Sequence, residues 1–97
     1  MNKCNITTKI KKELERNGNK LSYTFIKDIA DAAICQYFYA GTTTVCVLTL
    51  CSGHQVVAYS QVLDDVNSIK EIGEQIAREN ATNRLWEVCG AIAKTLV

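Results

Sequence analysis

The apolar positions of this 97-residue chain change from helical spacing to strand-like runs and back to helical spacing. Near the start, three apolar residues lie four apart on one stripe: Ile6, Ile10 and Leu14. This spacing predicts a short amphipathic helix that stops near Gly18, because glycine commonly ends helices. A wider apolar stripe predicts a second helix from about Thr24, its capping residue, to about Phe38.

A β-rich segment occupies the middle of the chain. Residues 42–50 are rich in threonine, valine, leucine and cysteine, and residues 55–61 have a similar composition. Ser52 and Gly53, which lie between them, form a tight-turn signal. The two segments are therefore predicted to pair as an antiparallel β-hairpin.

A two-residue turn in this hairpin makes both faces of the sheet largely apolar. The predicted facing pairs are Leu48 with Val57, Cys46 with Tyr59, Val47 with Ala58 and Thr49 with Val56. An antiparallel sheet with one face in water normally alternates apolar and polar residues. Helices of the same chain can cover one face, and we expect a second copy to cover the other face or an edge. The alternative is a monomer whose three helices wrap both faces.

A long amphipathic helix is predicted from Ser68 onward. Ser68 and Glu71 form a capping box, in which each side chain satisfies a free backbone amide of the first turn. Apolar residues then recur at gaps of three to five: Ile69, Ile72, Ile76, Ala81, Leu85, Val88, Ile92 and Leu96. The weak helix formers between Asn80 and Asn83, and Gly90, predict a bend.

One domain of the α+β class, residues 1–97, accounts for these elements. It comprises two N-terminal helices, an antiparallel β-hairpin and a long C-terminal helix. Residues 1–20 form a basic arm or short helix with six Lys or Arg against two Glu, and residues 22–97 form the core. The arm either touches an anionic partner or is a solvated surface helix. The net charge of the whole chain, +1, argues against bulk nucleic acid as a partner.

The cysteines and the N-terminus point to an intracellular protein. The five cysteines are odd in number and lie in or beside apolar runs, which is typical of free thiols in a reducing compartment. The N-terminal residues are polar and charged, unlike a secretory signal. No apolar run approaches the roughly 20 residues of a membrane span, so no membrane contact is expected.

Catalytic and metal-binding motifs have little support. The only histidine, His54, lies in the predicted turn, and Cys51 three residues before it suggests half of a metal site. No second pair completes the four ligands that a structural zinc needs. Phosphate-binding glycine motifs do not occur, and the paired carboxylates are explained by surface solvation or helix dipoles. We therefore expect no catalytic residue, no metal and no cofactor.

A basic and aromatic set of residues is the candidate ligand site. The predicted ligand-binding residues are Tyr37, Tyr39, Thr43, Thr44, Arg78, Asn80, Arg84 and Trp86. Arginine recognises phosphate through two hydrogen bonds and aromatic rings stack on bases, so the set suits a small nucleotide. In the alternative interpretation, Arg78 pairs with Glu74, and Arg84 pairs with Glu87 or Asn80, on a wet helix face. The aromatic residues then pack in the core.

Several strings of the chain are similar to those of known proteins: Tyr37-Phe38-Tyr39-Ala40-Gly41, residues 44–50, residues 52–56, Glu71-Ile72-Gly73, Ile76-Ala77-Arg78-Glu79-Asn80-Ala81 and Leu85-Trp86. Together they resemble the phage gene-product 49/66 family of small tailed-phage and prophage proteins. The resemblance covers roughly residues 25–96 and leaves residues 1–20 outside. The chain departs from the family in the hairpin turn, in a shorter loop before the first strand, in the lead-in at residues 65–69, and at Glu87, where a proline is common.

The resemblance supplies no catalytic residues, and it implies a small accessory protein in the cytoplasm of an infected or lysogenic bacterium. Such proteins are often stoichiometric binders, and unrelated ones sequester cyclic nucleotide defence signals. By that analogy we expect a non-catalytic counter-defence protein, a homo-oligomer that sequesters a small anionic, cyclic-nucleotide-type signal. The alternative is an interaction module that binds and inhibits a host enzyme or nuclease.

Overall fold

We describe residues 5–61 and 70–96 of a computed structural model. Within these residues, three helices and three strands occur in the order α1 (Ile6–Arg16), α2 (Tyr23–Ala32), β1 (Ile34–Ala40), β2 (Thr43–Thr49), β3 (Gln55–Gln61) and α3 (Lys70–Leu96). The strands form an antiparallel sheet in the order β1-β2-β3. The α+β class that the sequence predicts is confirmed.

The two N-terminal helices begin where a side chain can satisfy a free backbone amide. Asn5 caps α1, and the hydroxyl of Ser22 caps α2 by accepting a hydrogen bond from the backbone amide of Phe25 at 3.1 Å. The predicted cap at Thr24 is therefore wrong by two residues. Helix α1 ends just before Gly18, as predicted, and Gly18 has a φ of +64° that glycine adopts at little cost.

The predicted second helix is too long, because its last third is a strand. Helix α2 ends at Ala32, and Ala33 has an extended ψ of 155°. From Ile34 onward the chain pairs with β2, so that Tyr37 faces Cys46. Aromatic and branched residues favour strands. A short apolar run is compatible with a buried helix or a strand, and here the pairing with β2 makes it a strand. The sheet therefore has three strands within the described residues.

The hairpin of β2 and β3 is confirmed, but each predicted facing pair is wrong by one residue. The observed pairs are Cys46 with Ala58, Val47 with Val57, Leu48 with Val56 and Thr49 with Gln55. The connection has three residues, 51–53, because the Gly53 amide donates to the Leu50 carbonyl at 2.8 Å and Gly53 has a φ of +90°. This loop combines a tight turn with a left-handed glycine. Its extra residue places Val56 on the same face as Leu48.

Helix α3 packs on one face of the sheet, and α1 and α2 pack against α3. The inward side chains of β2 and β3 are buried except that of Ala58, which is half-buried, whereas the outward ones are half-buried or exposed. The predicted stripe of α1, Ile6, Ile10 and Leu14, is confirmed as part of the core. The most buried large side chains are Ile10, Ile26, Leu48 and Leu85, one from each of α1, α2, β2 and α3.

Helix α3 is 27 residues long and continues without interruption through Asn80–Asn83 and Gly90, where the sequence predicts a bend. The predicted capping residue Ser68 and the apolar Ile69 lie outside the described residues. No helix in the described ranges is both long and apolar enough to cross a membrane.

The buried line of α3 differs from the predicted apolar stripe. The buried residues recur every four positions: Gly73, Ala77, Ala81, Leu85, Cys89 and Ala93. The predicted positions Ile72 and Ile76 are exposed. Small residues line the sheet because the helix lies very close to it there. A Cβ added to Gly73 would lie 3.0 Å from Oγ1 of Thr44, and the hydroxyl of Ser60 donates to the Gly73 carbonyl at 2.7 Å.

The described cysteines differ in oxidation state. Cys35, Cys46 and Cys89 carry free thiols, as expected. Cys51 is disulfide-bonded, so the expectation of free thiols throughout is wrong for this residue. Cys4 lies outside the described residues.

Candidate functional site

Four of the predicted ligand-binding residues gather where β1 and β2 pass beneath the N-terminal half of α3. They are Tyr37, Tyr39, Thr44 and Arg78. Tyr39 faces Thr44 across the two strands. The positive charge of Arg78 acts on the phenol of Tyr37 and partly offsets the rise of its pKa. The structure therefore brings these four residues into one neighbourhood.

The polar groups of this neighbourhood already have partners. Burial and a hydrogen bond with Cys35 raise the pKa of Tyr37. A hydrogen bond from the Tyr39 hydroxyl to Glu74 raises the pKa of Tyr39 to about 12, and the ammonium group of Lys70 lies 5.0 Å from the centre of its ring. Thr44 is buried beneath α3. These polar groups therefore connect the helix to the sheet, while the ring of Tyr39 remains half exposed.

Arg78 forms an ion pair between two helices. Its guanidinium contacts the carboxylate of Asp31 on α2 at 2.9 Å, and Lys27 contacts the same carboxylate at 3.4 Å. The alternative interpretation, in which Arg78 pairs with Glu74 of the same helix, is wrong about the partner, which is Asp31 of α2. A cleft of about 380 Å³ beside this pair is lined by Lys27, Asp31, Arg78 and Glu79, so its charges balance.

The other four predicted residues lie elsewhere. Asn80 and Arg84 are on the β3 side of α3, where the Asn80 amide donates to the Tyr59 carbonyl at 2.9 Å. Arg84 pairs with Glu87 at 3.4 Å, as the alternative interpretation predicts. The last two are apart from both groups: Thr43 points away from the helices, and Trp86 contacts Tyr23 on α2 with ring centres 6.3 Å apart. The eight predicted residues therefore do not form one ligand site.

The sheet presents an uncovered face on the side opposite the helices. We define the outer sheet face by the outward positions of the three strands: Ile34, Gln36, Phe38, Ala40, Thr43, Val45, Val47, Thr49, Gln55, Val57, Tyr59 and Gln61. The largest apolar side chains remain open to solvent, with Ile34 65%, Phe38 53%, Val57 53% and Tyr59 62% exposed. Phe38, Val45 and Tyr59 form one cross-strand row.

Sequence reasoning recognised that the hairpin is apolar on both faces but missed the contribution of β1. The sequence pattern places Ile34 and Phe38 on the buried side of a predicted helix. The signal that indicates a strand instead is the aromatic and branched composition of the segment from Ile34 to Tyr39.

No metal-binding group occurs in the part of the chain that the structure describes. Within residues 5–61 and 70–96, no three His, Cys, Asp or Glu side chains are placed to hold an ion. His54 directly follows the hairpin loop and is exposed to solvent.

Comparison with known proteins gives one family. The Phage protein (N4 Gp49/phage Sf6 gene 66) family matches residues 5–97. The match includes α1, which the resemblance seen in the sequence left outside. No curated protein and no solved structure is significantly similar to the chain. Because the match spans nearly the whole chain, this protein belongs to the phage N4 gp49/phage Sf6 gene 66 family.

Proposed function

We propose that this phage accessory protein acts without catalysis, by binding, in the cytoplasm of the infected host. In this proposal its working form is a homo-oligomer, most simply a dimer, joined through the outer sheet face. The observation that carries the proposal is that this face carries exposed apolar and aromatic side chains and no charged residue.

The chemistry of the outer sheet face favours a second copy of the chain as its partner. None of its twelve positions is Lys, Arg, Asp or Glu. Two identical faces can therefore meet without any like-charge contact, and a charged partner gains no ion pair there. Sheets exposed to water are normally polar on the wet face and protected by charged residues at the edges. The outer sheet face has five uncharged polar residues, two Thr and three Gln, but no charged residue on any strand, the edge strands β1 and β3 included.

The size of the face sets the expected strength of the contact. Phe38 and Tyr59 are about half exposed, so together they can bury roughly 200 Å² of ring surface. The whole face offers twelve residues, fewer than the roughly 20–30 residues per side of a standard interface. We therefore expect the dimer to have a dissociation constant in the micromolar range, which corresponds to a free energy of dimerisation of about −8 kcal/mol.

A charge placed in the cross-strand row of Phe38, Val45 and Tyr59 tests the dimer. Tyr59→Lys puts two like charges into the proposed contact, and light scattering across a concentration series should show a monomer. Tyr23→Lys is the matched control, because Tyr23 is a tyrosine of similar exposure, 60%, on α2 rather than on the sheet. The control should dimerise like the unmodified chain. At a concentration of about 1 mM, a dimerisation free energy of about −4 kcal/mol is enough to form dimers. An unmodified chain that is still monomeric at this concentration contradicts the proposal.

A host enzyme or nuclease is the alternative partner of the same face. Aromatic residues such as Phe38 and Tyr59 are typical anchors of protein interfaces. This alternative applies if the purified chain is monomeric. It then requires that a purified host enzyme lose activity with the unmodified chain and keep it with Tyr59→Lys. Retained inhibition by Tyr59→Lys would exclude the outer sheet face as the binding surface.

The finer part of the proposal is that the oligomer sequesters a small anionic ligand of the nucleotide type. The support is that aromatic rings remain half exposed on the helical side of the molecule, as Tyr39 and Trp86 do. The two predicted arginines give less support, since each is paired with a carboxylate. A ligand at 100 times its dissociation constant should stabilise the fold by about 2.7 kcal/mol, which a thermal-shift screen of cyclic dinucleotides detects. No shift with any of them contradicts this part.

A further inference from the structure

We infer that a groove beside Trp86 binds a small anionic ligand that carries a flat ring, with a nucleotide as the class that fits best. This inference rests on the proposed sequestration and names a place for it. The Trp86 groove lies between the α1–α2 turn and the C-terminal half of α3, and has a volume of about 500 Å³. We define it by Leu14, Lys20, Leu21, Trp86, Gly90 and Lys94.

The charges of the Trp86 groove are positive and unbalanced. Lys20 and Lys94 line it, and no aspartate or glutamate does. Neither ammonium group has an ion-pair partner within residues 5–61 and 70–96. This distinguishes them from Arg78 and Arg84, each of which already contacts a carboxylate. An anion in the groove would gain both lysines without displacing a side chain of the protein.

The position of Lys20 is fixed by the turn that precedes it. Gly18 and Asn19 both adopt left-handed conformations, each with a φ of +64°. The Asn19 amide donates to the carbonyl of Leu14 at 2.8 Å, which ties the turn to the end of α1. Asparagine tolerates this conformation better than most residues. The turn therefore holds the backbone of Lys20 at the rim of the groove rather than leaving it on a loose connection.

The groove offers a ring surface as well as charge. Trp86 is 41% exposed, and its ring lies 6.3 Å from the ring of Tyr23, centre to centre. Stacking of a base on an aromatic side chain contributes about 1–3 kcal/mol. The volume lies within the range of about 300–1,000 Å³ that is usual for small-molecule sites, which are mostly apolar with a few polar groups. Leu14 and Leu21 supply the apolar part here.

Gly90 leaves space in the groove because it has no side chain, and a larger residue at this position can fill that space. A Cβ added to Gly90 has no atom within 4 Å, so a larger side chain there enters the groove rather than the core. Gly90→Phe should fill the groove. Gly90→Ala is the matched control, because it adds one methyl group and leaves most of the volume open.

The experiment uses Trp86, the only tryptophan of the chain, as a fluorescent probe of the groove. Cyclic di-AMP is titrated into the full-length protein while tryptophan emission and heat are recorded, with inorganic pyrophosphate in a parallel series. We expect saturable quenching by cyclic di-AMP that Gly90→Ala retains and Gly90→Phe weakens at least about tenfold, which equals about 1.4 kcal/mol. Lys20→Glu should weaken it comparably, and Lys27→Glu, outside the groove, should leave it unchanged. Pyrophosphate should bind more weakly because it cannot stack.

Three outcomes overturn the inference. If cyclic di-AMP binds Gly90→Phe as tightly as the unmodified chain, the groove is wrong and the sequestration proposal survives. If pyrophosphate binds as tightly as cyclic di-AMP, the groove is an anion site without ring recognition. If the unmodified chain binds neither, both the groove and sequestration fail, while the dimer is judged separately by light scattering. Thermal melts of each variant establish that it folds.

Discussion

Gly73 of α3 lies against Thr44 of β2 so closely that a Cβ on Gly73 would be 3.0 Å from the Thr44 hydroxyl oxygen. Thr44 is buried and its branched side chain is stiff, so it cannot easily move away. Ser60 also holds the Gly73 carbonyl at 2.7 Å. The closest approach of helix to sheet therefore depends on the missing side chain.

Gly73→Ala should destabilise the fold by about 1 kcal/mol in chemical denaturation. Overpacking costs about 1–3 kcal/mol, and the gain in helix propensity offsets at most about 1 kcal/mol of it. Gly90→Ala, in the same helix with open space around its Cβ, should instead stabilise by about 0.5–1 kcal/mol. Equal stabilisation by both variants would show that Gly73 is not tightly packed. The added cost should shrink when Thr44→Ala is combined with Gly73→Ala.

The buried thiols should resist alkylation until the protein unfolds. Burial raises the pKa of Cys89 to about 11, and burial together with a hydrogen bond to Cys35 raises that of Cys46 to about 12. Since the thiolate is the reactive form, both cysteines should be almost unmodified by iodoacetamide at pH 8 in the native protein. Peptide mass mapping after denaturation should then find both labelled. Rapid native labelling of Cys89 would contradict its burial.

Glu13 should make the stability depend on pH on the acid side. A hydrogen bond from Arg16 lowers the pKa of Glu13 below its usual 4.5, and the Ser22 hydroxyl also donates to this carboxylate, at 3.2 Å. A group with a lowered folded-state pKa stabilises the protein above pH 4.5 and loses that stabilisation as pH falls through the folded-state value. Glu13→Gln should therefore flatten the stability curve below pH 4.5 relative to the unmodified chain. Glu15→Gln, at an exposed position of the same helix, is the control, and an equal effect of both would contradict the assignment.

Arg78→Ala should change stability little. Its ion pair with Asp31 is partly exposed, with 39% and 51% of the two side chains open to solvent, and such pairs contribute about 0–1 kcal/mol. A double-mutant cycle with Asp31→Ala should give a coupling energy of this size. A coupling above about 2 kcal/mol would assign the pair a larger structural role than its exposure allows.

The elements with strong local signals could be predicted from the sequence. Helix α1 has a four-residue apolar repeat and a glycine stop, and both correspond to observed features. The hairpin was predicted for its composition, yet its register was wrong because Gly53 ends a three-residue loop rather than a two-residue turn. The length of this turn depends on the backbone conformation of its residues, including the left-handed φ of Gly53, which composition does not reveal.

The elements decided by tertiary contact could not be predicted in the same way. The segment from Ile34 to Ala40 has apolar residues at positions that also fit the apolar stripe of a helix. It is a strand because it pairs with β2. On α3, the rule that large apolar residues are buried pointed to Ile72 and Ile76. Close approach to the sheet selected Gly73 and Ala77 instead, because only small side chains fit there.

In the candidate site, too, the sequence indicated residue types but not which residues tertiary contacts bring together. Because the arginines and the tryptophan belong to one helix, the sequence predicts that they share one site, but their spacing distributes them around α3. Arg78 and Trp86 lie toward α2, whereas Arg84 and Asn80 lie toward β3. Lys20 and Lys94 are far apart in sequence and become neighbours of one groove only through folding.

The packing of α3 has a consequence for the order of events during synthesis. The pairings β1–β2 and β2–β3 join neighbouring segments, so they can form as soon as the strands leave the ribosome. Helix α3 packs against β2, β3, α1 and α2, and it is synthesised after all of them. A nascent chain that has not yet reached α3 would present a sheet with apolar residues on both sides. The interval between the last strand and the final helix is therefore the stage at which the chain is most exposed to aggregation.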